Sequence, residues 1–294
     1  MTAPAAPDKV QVGPGMVALT TYGVVQAETA QSLLEMRAFC EKNGLTDIMW
    51  TWVSGALVDK ARNEAVRTFL GTQLDGKRPL SWICFIDCDM VFAPNILDLL
   101  LATAYKLTPW ADMVGAYCQL RGKPYLPTTD FGSGLWESSD PGCGPQEVIR
   151  TGSACILIKR HVYEKMEYPW YGVRPAPRPI DILTEFDNYT RIKMDGENPL
   201  REHPVWAKIE QCATQDAVTQ RARTPQNAPA GAFFSSVGED SSFCDRARAL
   251  GFRIVVQTDA VSGHLDRHVI TPDDHKAAIR ETEREQRLAT GILT

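Results

Sequence analysis

Short apolar runs that end in polar clusters alternate with helical periodicity along the first part of this chain, and that alternation leaves few folds open. Residues 16–20 form an apolar run that ends at Thr20, Thr21, Tyr22 and Gly23. Residues 27–40 then carry Leu33, Leu34, Met36 and Phe39 at helical spacing. The unit repeats, with strand formers over residues 47–53, a break at Ser54 and Gly55, and a helical stretch over residues 57–70. A third strand, residues 80–86, runs into Asp87, Cys88 and Asp89, and Pro94 opens the next helix, through residue 105. Strands alternating with helices predict parallel β-α-β units in a sheet covered on both faces, an α/β fold. Ligands of such sheets bind beyond the carboxyl ends of the strands. Thr20, Thr21, Tyr22, Ser54, Asp87 and Asp89 all fall at those ends, so one crevice is expected to gather them.

Past a strand at residues 112–117 the pattern loosens into Gly- and Pro-rich text over residues 119–145. A strand and helix return at residues 152–166, and residues 168–232, rich in proline, read as an insertion or lid. Gly238, Glu239 and Asp240 lead into an amphipathic helix over residues 241–250. A strand at residues 253–257 and the segment Ser262, Gly263, His264 follow. The expected organisation is a disordered leader (residues 1–15), one domain (residues 16–270) containing the insertion at 168–232, and a charged, exposed carboxyl-terminal helix (residues 271–294).

Composition excludes several classes. With 294 residues, 44% of them hydrophobic, the chain is long enough for one large α/β core. Its longest apolar runs, such as residues 96–104, fall short of the roughly 18–20 residues that span a bilayer, so membrane insertion is not expected. Residues 1–15 lack a basic segment followed by an apolar core and do not read as a secretion signal, which makes the cytoplasm the expected site of action. Eight cysteines without a C-x-x-C pair argue against structural zinc. A net charge of −5 argues against a globally basic nucleic-acid binder. P-loop, H-E-x-x-H and G-x-S-x-G patterns are absent from the sequence.

Two carboxylates at a strand end, Asp87 and Asp89, suit a hard divalent cation such as Mg²⁺ or Mn²⁺, which would neutralise a departing diphosphate. A polar strand exit or helix cap would show the same residues. Glu239 and Asp240 sit where a helix dipole favours acids with or without catalysis. Arg62 could meet phosphate oxygens with its planar guanidinium or lie exposed on its helix. Residues 159–178 interleave Lys159, Arg160, Lys165, Arg174 and Arg178 with Tyr163, Tyr168, Trp170 and Tyr171. That mixture suits a nucleic-acid backbone, a stacked sugar or a solvated lid.

The stretch from Trp82 to Met90 resembles the metal-binding D-x-D strand of GT-A glycosyltransferases, family-2-like in its details. Ala61, Arg62 and Asn63 resemble the Arg-Asn pair upstream of that motif in a subset of these enzymes. Residues 151–160 resemble the Gly-containing strand on the acceptor side, and residues 238–244 the E-D motif that opens the helix bearing the catalytic carboxylate. The resemblance implies a GT-A fold, that is, a Rossmann-like nucleotide-sugar-binding sheet with an acceptor-side insertion. It also implies a nucleotide-sugar donor, a UDP-sugar such as UDP-glucose first among them, bound by Thr20, Thr21, Tyr22, Ser54, Arg62 and Asp87. Asp89 is then a direct metal ligand, Asp87 lies on the ribose or metal, and His264 is a late ligand, with His268 a rival. Asp240 becomes the base and Glu239 its neighbour in acceptor binding, which fits an inverting reaction. Gly152, Arg174 and Arg178 fall on the acceptor side.

The expected function is therefore metal-dependent transfer of a sugar to an acceptor hydroxyl. Such enzymes act on saccharides, on small metabolites and, in some bacteriophages, on hydroxymethylated DNA bases, and DNA is the acceptor that the basic, aromatic stretch suggests. A nucleotidyltransferase, which also places carboxylates at strand ends, is the rival within enzymes. A binding module on a decayed scaffold is the non-enzymatic one.

Overall fold

Seven consecutive buried residues, Gly15–Thr21, form β1 at the centre of the parallel half of the sheet. The computed structural model describes residues 12–55, 57–121, 125–131, 141–172, 174–175, 236–266 and 269–289. After β1 come α1 (Ala27–Lys42), β2 (Ile48–Ser54), α2 (Val58–Gly71), β3 (Trp82–Asp87), β4 (Met90–Phe92) and α3 (Ile96–Ala102), which runs on into a π turn at Thr103–Leu107. Then follow β5 (Met113–Cys118), β6 (Pro145–Val148), β7 (Cys155–Lys159), α4 (Arg160–Lys165), α5 (Glu239–Ala249), β8 (Ile254–Leu265), β9 (Val269–Ile270) and α6 (Pro272–Ala289). Among the described residues these strands make one sheet in the order β9-β8-β5-β7-β3-β1-β2, with β4 and β6 also paired to β8.

β1 is parallel to β2 and to β3, as the alternating pattern predicts, and β5 is parallel to β8. β7 lies antiparallel between β3 and β5 and joins the two parallel halves. Side chains alternate across each strand. Met16, Ala18, Ile83 and Phe85 therefore face α2 and α5, through Ala65, Phe69, Phe243 and Ala247. Val17, Leu19, Cys84 and Ile86 face α1 and α3, through Leu33, Met36, Leu97 and Leu100. The fold is thus α/β, with a central sheet, mostly parallel and buried on both faces.

The chain divides into two units, Met1–Tyr171 with Phe243–Thr294, and Gly172–Ser242. The first holds the sheet. The second contains, among the described residues, the antiparallel pairing of Arg174–Pro175 with Ser236–Val237 and the first turn of α5.

Three boundaries differ from expectation. The carbonyls of Gly13 and Pro14, placed in the leader, accept hydrogen bonds from the Trp82 indole (2.9 Å) and the Ser81 N–H (2.7 Å), and Gly15 already belongs to β1. Trp170 and Tyr171, placed in the lid, are buried in the core, where Tyr171 stacks on Phe243 at 4.4 Å between ring centroids. Asn63 fastens this segment, its amide donating to the Tyr171 carbonyl (2.7 Å) while its oxygen accepts the Tyr171 N–H (3.1 Å). The carboxyl-terminal helix, read as exposed, buries His275 and Ala278. The rest of the stretch read as a lid, residues 176–232, lies outside the described residues. No helix among the described residues is long and apolar enough to cross a membrane.

Candidate functional site

The carboxyl ends of β1 and β3 lie side by side, with Thr20 opposite Asp87 in the parallel register. Both side chains project to the face that α2 covers, and there they meet Arg62. This arginine is only 1% exposed, and its Nη2 donates to both Asp87 oxygens, at 3.1 and 3.0 Å. The Thr20 hydroxyl donates to Asp87 Oδ1, and the Asp87 N–H is held by the Ala154 carbonyl at 2.8 Å. Arg62 also lies over the Tyr171 ring, 5.6 Å from its centroid. Charge-assisted hydrogen bonds of this kind are roughly twice as strong as neutral ones and fix the carboxylate's orientation.

Asp89 faces a different set of groups. The chain turns after Asp87 and returns as β4, which pairs antiparallel with β8 so that Met90 opposes His264. That register carries the His264 imidazole to Asp89, Nε2 lying 3.7 Å from Oδ1. The other imidazole nitrogen, Nδ1, is 2.8 Å from the Gln119 carbonyl, so Nδ1–H donates to that carbonyl and, in the neutral ring, Nε2 carries the lone pair on the side of Asp89. Burial pushes the His264 pKa below its usual value, the Gln119 carbonyl opposes that, and the nearby Arg121 charge adds to it. A neutral imidazole with a free Nε2 lone pair is the form that binds metals. The Arg121 guanidinium forms an ion pair with the second Asp89 oxygen.

Asp89 and His264 present one carboxylate and one imidazole to the same point, while Asp87 is turned to Arg62 and Thr20. No group of three or more His, Cys, Asp or Glu side chains able to hold a metal ion occurs among the described residues. The pair fits Mn²⁺ or Mg²⁺ of the kind that completes its coordination with substrate phosphates and water, and does not fit a closed all-protein cage.

The other expected residues fall in several places. Thr21 is buried, and its hydroxyl holds the following loop by donating to the Val24 carbonyl (2.6 Å) and accepting the Gly23 N–H (3.1 Å). Tyr22 is exposed at the tip of that loop, and Ser54 is exposed at the end of β2. Gly152 is buried against Thr128, where a Cβ would come within 3.1 Å of the threonine side chain. Glu239 and Asp240 stand in the first turn of α5, in the second unit. Arg174 lies in the short pairing with residues 236–237, and Arg178 and His268 lie outside the described residues. Much of the basic and aromatic stretch is packed. Tyr163 is buried, Lys159 donates to the Pro109 carbonyl (2.9 Å), and Arg160 reaches Glu164 and the carbonyls of Leu80 and Leu70. The sequence reading passed over Arg121 and Gln119. Gln119 follows directly on β5 and Arg121 two residues later, and the strand-end rule applied there would have found them.

No family model matches the chain, and no curated protein does. Solved structures similar to it include the A197 protein from STIV, at 18% identity and a TM-score of 0.49 over 89% of this chain and 91% of that one. Another is a glycosyltransferase involved in glycosylation of the major capsid of PBCV-1 (11% identity, TM-score 0.28, 53% and 70% covered). A third is glucosyl-3-phosphoglycerate synthase from Mycobacterium tuberculosis in complex with Mn²⁺, UDP-glucose and phosphoglyceric acid (12%, TM-score 0.30, 73% and 82%). The functional reading therefore rests on the geometry of the site itself.

Proposed function

We propose that this chain is a GT-A-type glycosyltransferase that moves a sugar from a nucleoside-diphosphate donor, a UDP-sugar first among them, to an acceptor hydroxyl. The observation that carries the proposal is the meeting of Asp89 and His264 at the carboxyl end of the sheet, beside an Asp87 locked by buried Arg62. Asp89 and His264 would hold Mn²⁺ or Mg²⁺, which supplies charge neutralisation for the leaving diphosphate. Asp87, its orientation set by Arg62 and Thr20, binds the donor next to that ion, with Tyr22 and Ser54 exposed along the same edge. Asp240 takes the proton of the attacking hydroxyl and Glu239 helps to hold the acceptor, in a direct displacement that inverts the anomeric centre.

The acceptor is assigned to a saccharide or small metabolite. DNA is disfavoured because Tyr163, Trp170 and Tyr171 are core residues and cannot stack bases, which leaves that reading on the exposed Tyr168 together with Arg174 and Arg178.

A screen of nucleotide sugars with Mn²⁺ tests the reaction class. The expected products are nucleoside diphosphate and free sugar, and release of nucleoside monophosphate with sugar 1-phosphate would indicate nucleotidyl transfer instead. Asp89→Ala should abolish the reaction, and Asp240→Asn should lower transfer by about 10² or more while keeping donor affinity. Full turnover in excess EDTA would remove the metal from the proposal.

A further inference from the structure

Arg121 is placed to do more than cover an acid. Its guanidinium pairs with one oxygen of Asp89 while the other oxygen faces His264. The carboxylate is 14% exposed and the arginine 52%, so the arginine reaches from solvent onto a largely buried acid. Its base is firm. Gln119 bridges to Pro127, the Leu120 N–H donates to the Leu126 carbonyl (2.8 Å), and the Gln119 carbonyl holds His264. The long side chain can therefore move while its attachment stays beside the site.

A carboxylate oxygen given to a guanidinium is poorly available to a divalent cation, and two positive groups a few ångströms apart repel each other strongly. A diphosphate reverses that balance, because its oxygens accept from a planar guanidinium as a carboxylate does, often in pairs.

We propose that Arg121 is a donor-binding residue with two alternative partners: Asp89 while the cation site is empty, and the diphosphate of a nucleoside-diphosphate ligand once a divalent cation has taken Asp89. The exchange makes cation and nucleotide bind cooperatively, since each relieves a cost imposed on the other. This inference rests on the metal site of the proposed function.

The test uses the full chain and Arg121→Gln, which removes the charge from an exposed side chain and should leave the melting temperature near that of the parent. Mn²⁺ binding is followed by electron paramagnetic resonance without nucleotide, and UDP binding by calorimetry at saturating Mn²⁺. The variant should bind Mn²⁺ alone roughly tenfold more tightly and UDP roughly tenfold more weakly, the size of one charge-assisted hydrogen bond. Arg121→Lys should fall between parent and variant in both titrations. Unchanged affinities in both would reduce the pair to a surface ion bridge and overturn the proposal. So would weaker UDP binding with Mn²⁺ affinity unmoved, because the competition for Asp89 would then be missing. If the parent binds no Mn²⁺ with or without UDP, the metal site itself fails, an outcome distinct from the other two.

Discussion

Arg62, 1% exposed, is attached to Asp87 through both carboxylate oxygens, whereas Asp89 meets an arginine that is half in solvent. The two acids of one motif should therefore behave differently when removed. Taking the carboxylate from a buried guanidinium costs about 3–5 kcal/mol in a fully buried pair. With Asp87 22% exposed, a loss of about 2 kcal/mol or more is expected for Asp87→Ala. Asp89→Ala should stay within about 1 kcal/mol of the parent, as for a partly solvated pair. Urea unfolding of both variants measures the difference, and equal losses would show that Arg62 does not depend on Asp87. The motif was legible because an apolar strand delivered both acids to one strand end. Its division of labour was not, since Arg62 lies 25 positions away on a helix whose facing side only the packing reveals. His264 was legible from the resemblance, and the antiparallel register of β4 on β8 supplies the physical reason for its place beside Asp89.

At the scale of elements, β1 and β3 were readable because a strand buried on both faces is a nearly continuous apolar run, and the half-exposed edge strand β2 through its strand-forming residues. The reversed direction of β7 was not, for period-two alternation looks the same in either direction. Nor was the true start of the sheet. Gly13, Pro14 and Gly15 resemble a loose tail in composition, yet a Cβ on Gly15 would stand 1.9 Å from the Trp82 ring. The strand pair β1 and β3 needs glycine there so that the indole can lie across the backbone and donate to Gly13. Gly15→Ala should consequently destabilise the protein by about 1–3 kcal/mol, the usual cost of overpacking a filled site. Thermal or urea unfolding measures this, with Gly71→Ala as a control, since a Cβ on Gly71 meets nothing within 4 Å. A Gly15→Ala protein as stable as the control would mean that Trp82 relaxes freely.

For the whole molecule, an acidic chain of net charge −5 reads as a poor nucleic-acid binder, and only the basic, aromatic stretch spoke against that reading. A linear sequence cannot show which charges are already engaged. Packing shows that Lys159 lies over Tyr105, that Lys165 lies over Phe252, and that Arg160 bonds to two backbone carbonyls and Glu164. Lys159 and Arg160 are thereby engaged within the fold, while Lys165 and Tyr168 stay exposed. Transfer to an acceptor should then depend only weakly on ionic strength, because few counterions are released when it binds. The check is a series of KM values for the acceptor between about 50 and 200 mM salt, run in parallel with hydroxymethylated DNA. For duplex DNA each engaged phosphate would contribute about −0.9 to the slope of log affinity against log salt. A flat profile on a saccharide or metabolite, with DNA left unmodified, supports the small acceptor. A slope of several units on DNA, relieved by Arg174→Glu together with Arg178→Glu and with donor hydrolysis unaffected, would return the acceptor to nucleic acid and assign it to those two arginines.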